Sequence, residues 1–250
     1  MVRGPASVLV RPSLPGRPTA LLAATVVALA YFLLAGELPS LGSGDGAVLV
    51  AGLVGIGLIA AIVLSVTRAG DEMFPVALLF VGSAMLVAGM DAAGARASVS
   101  PFEALAAGSF GVLLGRALAA PAVALAVPVF VAIVDAWSVA TGPSSRLANG
   151  SPRGAAELTF DLPSWGSVPG ASSRLGLTDA VFLAMFSVWA VRFGLRPRAT
   201  LVGMVAGLLA AVVLSVTLNR PVPALPLIAV GYWLPNLDRF AALFHDRPAG

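Results

Sequence analysis

Eight apolar runs, each close to the length needed to cross a bilayer, dominate the sequence: Ala20–Gly36, Ala47–Thr67, Met73–Met90, Phe102–Ala119, Pro121–Ala140, Leu177–Val191, Thr200–Leu218 and Pro223–Leu243. A membrane helix needs about 20 mostly apolar residues, and short polar stretches separate these runs. Only 11% of the residues are charged, against roughly 25% in a soluble domain. The expected fold is therefore an all-α membrane protein, a polytopic bundle of about eight transmembrane helices with the lipid bilayer as its solvent. An amino-terminal tail covers residues 1–19, and a first group of transmembrane helices spans 20–119. A second region, 120–250, includes a polar loop over 141–176. The basic leader Arg3, Arg11 and Arg17 before the first run has the look of a signal peptide. However, that run is longer than a signal core and lacks a small-x-small cleavage site, so a retained helix is expected.

Local signals refine these runs. Ser100, Pro101 and Glu103 form a helix start of the capping-box type. Pro235 should kink or end the last helix, leaving 236–246 to lie at the interface. The pairs Gly111/Gly115, Gly203/Gly207 and Gly52/Gly55 suit close helix packing in lipid. Within the polar loop, Glu157 to Leu162 alternates polar and apolar residues, a weak strand signal.

The residue inventory excludes most site chemistry. With no cysteine, disulfides, thiol nucleophiles and zinc-thiolate centres are out. The single histidine, His245, makes a Ser-His-Asp triad or a two-histidine metal site improbable. All 15 basic residues are arginine, so a lysine Schiff base is also out. The arginines lie singly or in threes between apolar runs, which does not suit nucleic-acid binding. No metal or cofactor is expected.

Most of the 12 acidic residues fall between runs. Asp135 and Asp179 do not. Asp135 precedes Thr141 by six residues, about 9 Å in from that end, and Asp179 follows Gly176 by three, about 4–5 Å in. The chain leaves the membrane after the first and re-enters before the second, so both lie towards one face. Two facing carboxylates in low dielectric do not both ionise readily and tend to share a proton. Such a pair suits acid–base activation of water against a peptide bond, and equally suits a proton or ion pathway. The eighth run opens Pro221-Val222-Pro223-Ala224-Leu225-Pro226 at the same face, where three prolines prevent regular helix. Irregular backbone at that depth is tolerated only when buried in protein or lining a wet cavity.

The order of these islands resembles the presenilin and signal peptide peptidase family of intramembrane aspartyl proteases. Asp135-Ala136-Trp137-Ser138-Val139 is similar to the first aspartate motif of microbial members, with Gly142-Pro143 and Arg146-Leu147 following similarly. Gly176-Leu177-Thr178-Asp179 resembles the Gly-x-Gly-Asp motif, and Pro223-Ala224-Leu225 matches the Pro-Ala-Leu motif. The resemblance implies a presenilin-like bundle in a prokaryotic cell membrane. It implies Asp135 and Asp179 as the catalytic pair, with Gly176, Leu177, Thr178, Pro223, Ala224 and Leu225 contacting a transmembrane peptide or protein substrate. The substrate would unwind and pair, by strand addition, with backbone near Pro223–Leu225 or Glu157–Leu162.

Two features depart from the family pattern. Thr178 stands where the family has its second glycine, which bears on substrate choice and on activity. The family core has nine spans, so one amino-terminal span is missing or hidden. A catalytically inactive binder of membrane segments and a proton-coupled transporter are the rival readings. The oligomeric state is not legible in the sequence. With eight spans, Arg3, Arg11, Arg17, Arg68, Arg116, Arg192, Arg196, Arg198, Arg239 and Arg247 share one face, against Arg96, Arg146, Arg153, Arg174 and Arg220 on the other. Arginine-rich short loops mark the cytoplasmic side, which would place both termini there.

Overall fold

Each apolar run folds into helix. In a computed structural model of the chain, which describes residues 17–39, 45–69, 72–95, 99–141, 159–163, 165–166, 174–218 and 220–245, the helices are α1 (Arg17–Leu34), α2 (Asp45–Ala69), α3 (Met73–Ala92), α4 (Ser100–Ala117), α5 (Pro121–Thr141), α6 (Leu177–Arg192), α7 (Pro197–Thr217), α8 (Ala224–Trp233) and α9 (Leu237–His245). Five of these elements are long and apolar enough to cross a membrane: α1, α2, α3, α5 and α7. The chain is therefore a predominantly helical bundle of membrane character. Many large apolar side chains are exposed on its outside, among them Phe74, Met85 and Val202, as expected where lipid replaces water.

The helix limits have local causes. α4 begins one residue earlier than its capping-box pattern suggests: Val99 occupies the cap position without a side-chain cap bond, and Pro101 sits in the first turn, where its missing N–H costs nothing. Leu118 to Ala120 separate α4 from α5. At the other end, Pro235 acts as expected. α8 stops at Trp233, and a 3₁₀ turn over Leu234–Asn236 leads into α9. Gly142, Pro143, Arg146, Leu147 and Glu157 lie outside the described residues.

α6 is the central element, with Asp179, Leu183, Phe186 and Trp189 all buried on it. It lies against α4 with almost no gap. A Cβ on Gly111 would overlap the Val181 carbonyl, and one on Gly115 would meet Val188 Cβ at 3.0 Å. The Trp189 indole donates to the Gly115 carbonyl at 2.9 Å inside this contact. α7 and α8 are equally close and antiparallel: Gly203 faces the Gly231 backbone and Gly207 faces that of Leu227. Small residues thus make two of the tightest helix pairs, as backbone approach in lipid requires.

The bundle also holds a two-stranded antiparallel sheet, in which β1 (Thr159–Asp161) pairs with β2 (Arg174–Gly176) in the register Phe160↔Leu175. Within the alternating segment, Thr159–Asp161 is therefore a strand. Phe160, Leu162 and Leu175 are buried, and Leu162 packs on Gly55 of α2. Just beyond, the Trp165 indole donates to the Pro39 carbonyl and the Gly166 N–H to that of Ala35. Gly166 has φ of 70°, a conformation that favours glycine. These bonds fasten the sheet over the end of the bundle where α6 begins.

Candidate functional site

The site forms at the sheet end, where α8 meets both α5 and α6. α5 is mostly exposed: Phe130, Ile133 and Trp137 are each more than 60% accessible. Its inward stripe is narrow and runs through Ala124, Pro128, Val131 and Asp135, positions spaced by about one turn. Asp135 thus points into the bundle rather than to lipid. α5 packs chiefly on α8, and the contact ends in a specific bond. The Leu225 N–H donates to Asp135 Oδ2 at 3.0 Å, and the Ala224 N–H also bonds that carboxylate.

That bond answers a requirement of α8. The first four N–H groups of a helix have no partner within it. α8 has Pro223 at its cap position, with extended backbone and no side-chain cap. The missing acceptor comes from another helix, 90 residues away in sequence, and a carboxylate also suits the positive end of the helix dipole. Pro226 lies in the first turn, where a proline is tolerated.

The depth of this helix start follows from the α7–α8 register. Gly203 opposite Gly231 and Gly207 opposite Leu227 place Ala224 level with about Ala210. That is seven residues, or about 10 Å, short of the end of α7 at Thr217. The non-helical residues Arg220 to Pro223 descend over that distance. The Val222 N–H donates to Ser215 Oγ at 3.0 Å and the Arg220 N–H to the Ser215 carbonyl at 3.2 Å. Ser215 carries one signal in the sequence, as a polar residue inside the seventh apolar run.

Asp179 sits in the first turn of α6, 7% exposed. Gly176 is the cap residue, with φ of −66° and ψ of 135°, so Asp179 occupies the third helical position. Its carboxylate reaches back to the Gly176 N–H, which is one half of a capping box. Space rather than backbone freedom constrains position 176: a Cβ there would lie 3.0 Å from Asp179 Oδ2, which would have to give way slightly. Asp135 and Asp179 interact electrostatically across the site.

The structure thus brings Asp135, Asp179, Gly176, Ala224 and Leu225 to one place. Thr178 is exposed, so its β-branch does not crowd the buried Asp179. Pro223 and Leu177 are half-buried at the same end. Among the described residues no cluster of three or more His, Cys, Asp or Glu side chains could hold a metal ion. Each aspartate has a structural task, capping a helix start. What distinguishes the pair is that both tasks are performed inside the bundle by groups within electrostatic reach of each other.

Fold and site together describe a helical membrane bundle with a carboxylate pair at its sheet-covered end. No protein-family profile, curated protein or solved structure matches the chain.

Proposed function

We propose that the protein is an intramembrane aspartyl protease of the presenilin and signal peptide peptidase type, a multi-pass cell-membrane enzyme that hydrolyses peptide bonds in transmembrane segments. The observation that carries this reading is the Leu225–Asp135 hydrogen bond. It joins the Pro-Ala-Leu element to one aspartate beside the other, as the resemblance implies for residues so far apart in sequence.

The chemistry follows from the pair. One carboxylate, ionised, takes a proton from water as it attacks the scissile carbonyl. The other, protonated, donates to that carbonyl oxygen, giving a gem-diol; as the C–N bond breaks, the first carboxyl passes the proton it took from water to the leaving amine and the second recovers its proton from a gem-diol hydroxyl. Substrate must first unwind, because helical peptide bonds are shielded. β2 leads straight into α6, three residues before Asp179, and among the described residues it pairs with β1 alone. Its other edge is a place for an unwound segment to add as a strand.

Asp135→Asn and Asp179→Asn test the reading, because asparagine keeps an oxygen acceptor for each helix start. Either change should reduce cleavage of a reporter transmembrane peptide in liposomes by about 10²–10⁴-fold while the protein stays folded. Undiminished cleavage in both variants would remove the proposal. Tight binding of an aspartyl-protease transition-state analogue without turnover would favour the inactive binder. Proton-dependent flux through the same liposomes would favour the transporter.

A further inference from the structure

At the opposite end of the bundle from the aspartates, a cavity of about 980 Å³ is lined by Arg68, Arg116, Arg192 and Arg198. The first three stand in the last turns of α2, α4 and α6. The fourth is in the first turn of α7. Among the described residues no acidic side chain lines the cavity. Among the described residues none of these guanidinium groups is paired with a carboxylate; the ion pair nearby, Arg196 with Asp238, uses a different arginine.

A single arginine at a helix carboxyl end needs no ligand, since it complements the negative end of the dipole. That accounts for Arg68, Arg116 and Arg192 one at a time. It does not account for Arg198, which sits at a positive helix end where a cation is disfavoured. Nor does it account for four arginines lining one concavity. Four arginines and the α7 amino terminus together give the cavity a positive potential. Arginine matches phosphate geometry through paired N–H donors. The rim is apolar and turned outward: Met73 and Val191 line the cavity and are 53% and 69% exposed. A free anion would use the cations but not this rim.

We propose that the cavity binds the phosphate headgroup of an anionic phospholipid, with its acyl chains lying along Met73 and Val191. Basic pockets between transmembrane helices on the arginine-rich face recognise anionic lipids in this way. The inference stands whether or not Asp135 and Asp179 cleave a substrate.

The test uses the full chain, purified and delipidated in neutral detergent. Thermal unfolding is followed with phosphatidylglycerol, phosphatidylcholine or inorganic phosphate at equal phosphate concentration, and bound lipid is counted by native mass spectrometry. Phosphatidylglycerol should raise Tm and remain bound; the other two should not. Each arginine replaced by glutamine should weaken apparent affinity about 5-fold, so Arg116→Gln/Arg192→Gln should lose most of the shift. Arg239→Gln, outside the cavity, should keep it. The single variant Arg198→Gln carries the same comparison if the double variant fails to fold. An equal shift from phosphatidylcholine, a shift reproduced by inorganic phosphate, or an undiminished phosphatidylglycerol effect in the cavity variants would each overturn the proposal.

Discussion

Leu225 and Asp135 are joined by a 3.0 Å hydrogen bond from backbone N–H to carboxylate, so α5 carries the acceptor that α8 cannot supply for itself. Removing the acceptor should cost what losing a helix cap costs, about 0.5–2 kcal/mol. Asp135→Ala should therefore lower unfolding stability in detergent by that amount, and Asp135→Asn by much less. Equal stability of the two variants would show that the bond does not hold α8.

Close backbone approach gives a prediction of opposite signs at different glycines. A Cβ on Gly111 or Gly203 would overlap a facing carbonyl. Gly111→Ala and Gly203→Ala should each destabilise by about 1–3 kcal/mol, the usual cost of overpacking. Gly57, inside α2, has nothing within 4 Å of its notional Cβ. Gly57→Ala should stabilise by about 0.5–1 kcal/mol, since alanine suits a helix interior better. Denaturant or thermal unfolding of the three variants side by side checks both signs.

Gly176→Ala separates space at the site from stability. The added methyl would press on Asp179 Oδ2 from 3.0 Å, while the φ and ψ at 176 suit any residue. Cleavage of the reporter peptide should fall sharply with a Tm shift of only a few degrees. Unchanged cleavage would mean that the position of that carboxylate does not govern turnover.

A buried polar network ties the far end of α7 to α8. Asn236, fully buried, accepts from the Arg196 N–H at 2.8 Å and donates to Thr200 Oγ1 and the Tyr232 carbonyl, both at 2.7 Å. Asn236→Ala would leave buried groups unpaired, at about 1–3 kcal/mol. The loss should be clear in thermal unfolding, and Asn236→Leu should not recover it.

Beside that network, Arg196 holds both carboxylate oxygens of Asp238, at 2.8 and 2.7 Å. This hydrogen bonding keeps the Asp238 pKa below the usual carboxylate range. A carboxylate with a lowered folded-state pKa contributes stability above its unfolded value, about 3.9, and loses it as pH falls through the folded value. Asp238 is exposed, so the contribution is small and screened by salt. The Tm difference between the natural protein and Asp238→Asn should be flat from pH 7 to about 5 and vanish as the medium becomes strongly acidic.

The apolar runs made the helices legible because length and hydropathy are local properties. Met73–Met90 became α3 and Pro121–Ala140 became α5 with shifts of only one or two residues at the ends. Asp135 and Asp179 stood out for the same reason, as charges inside apolar runs. The partners of those charges were not legible, because they depend on contacts across the chain. The missing clue was negative: the eighth run opens without a Ser, Thr, Asp or Asn to cap it, so its N–H groups had to find an acceptor elsewhere. The pairing of β1 with β2 was hidden in the same way, since Arg174-Leu175-Gly176 is too short to show alternation. The arginine cavity was visible only as single residues at the ends of separate runs.

The start of α8 lies about 10 Å below the end of α7, with polar backbone and a carboxylate reaching down to it. In a bilayer, water following this polar backbone would make the low-dielectric slab thinner at this point than around the rest of the bundle. Any voltage across the membrane would drop over that shorter remaining path, so the field per ångström beneath Asp135 exceeds that in the surrounding lipid. A proton moving to or from Asp135 would cross only part of the voltage, which makes its transfer less sensitive to membrane potential than passage across the full bilayer.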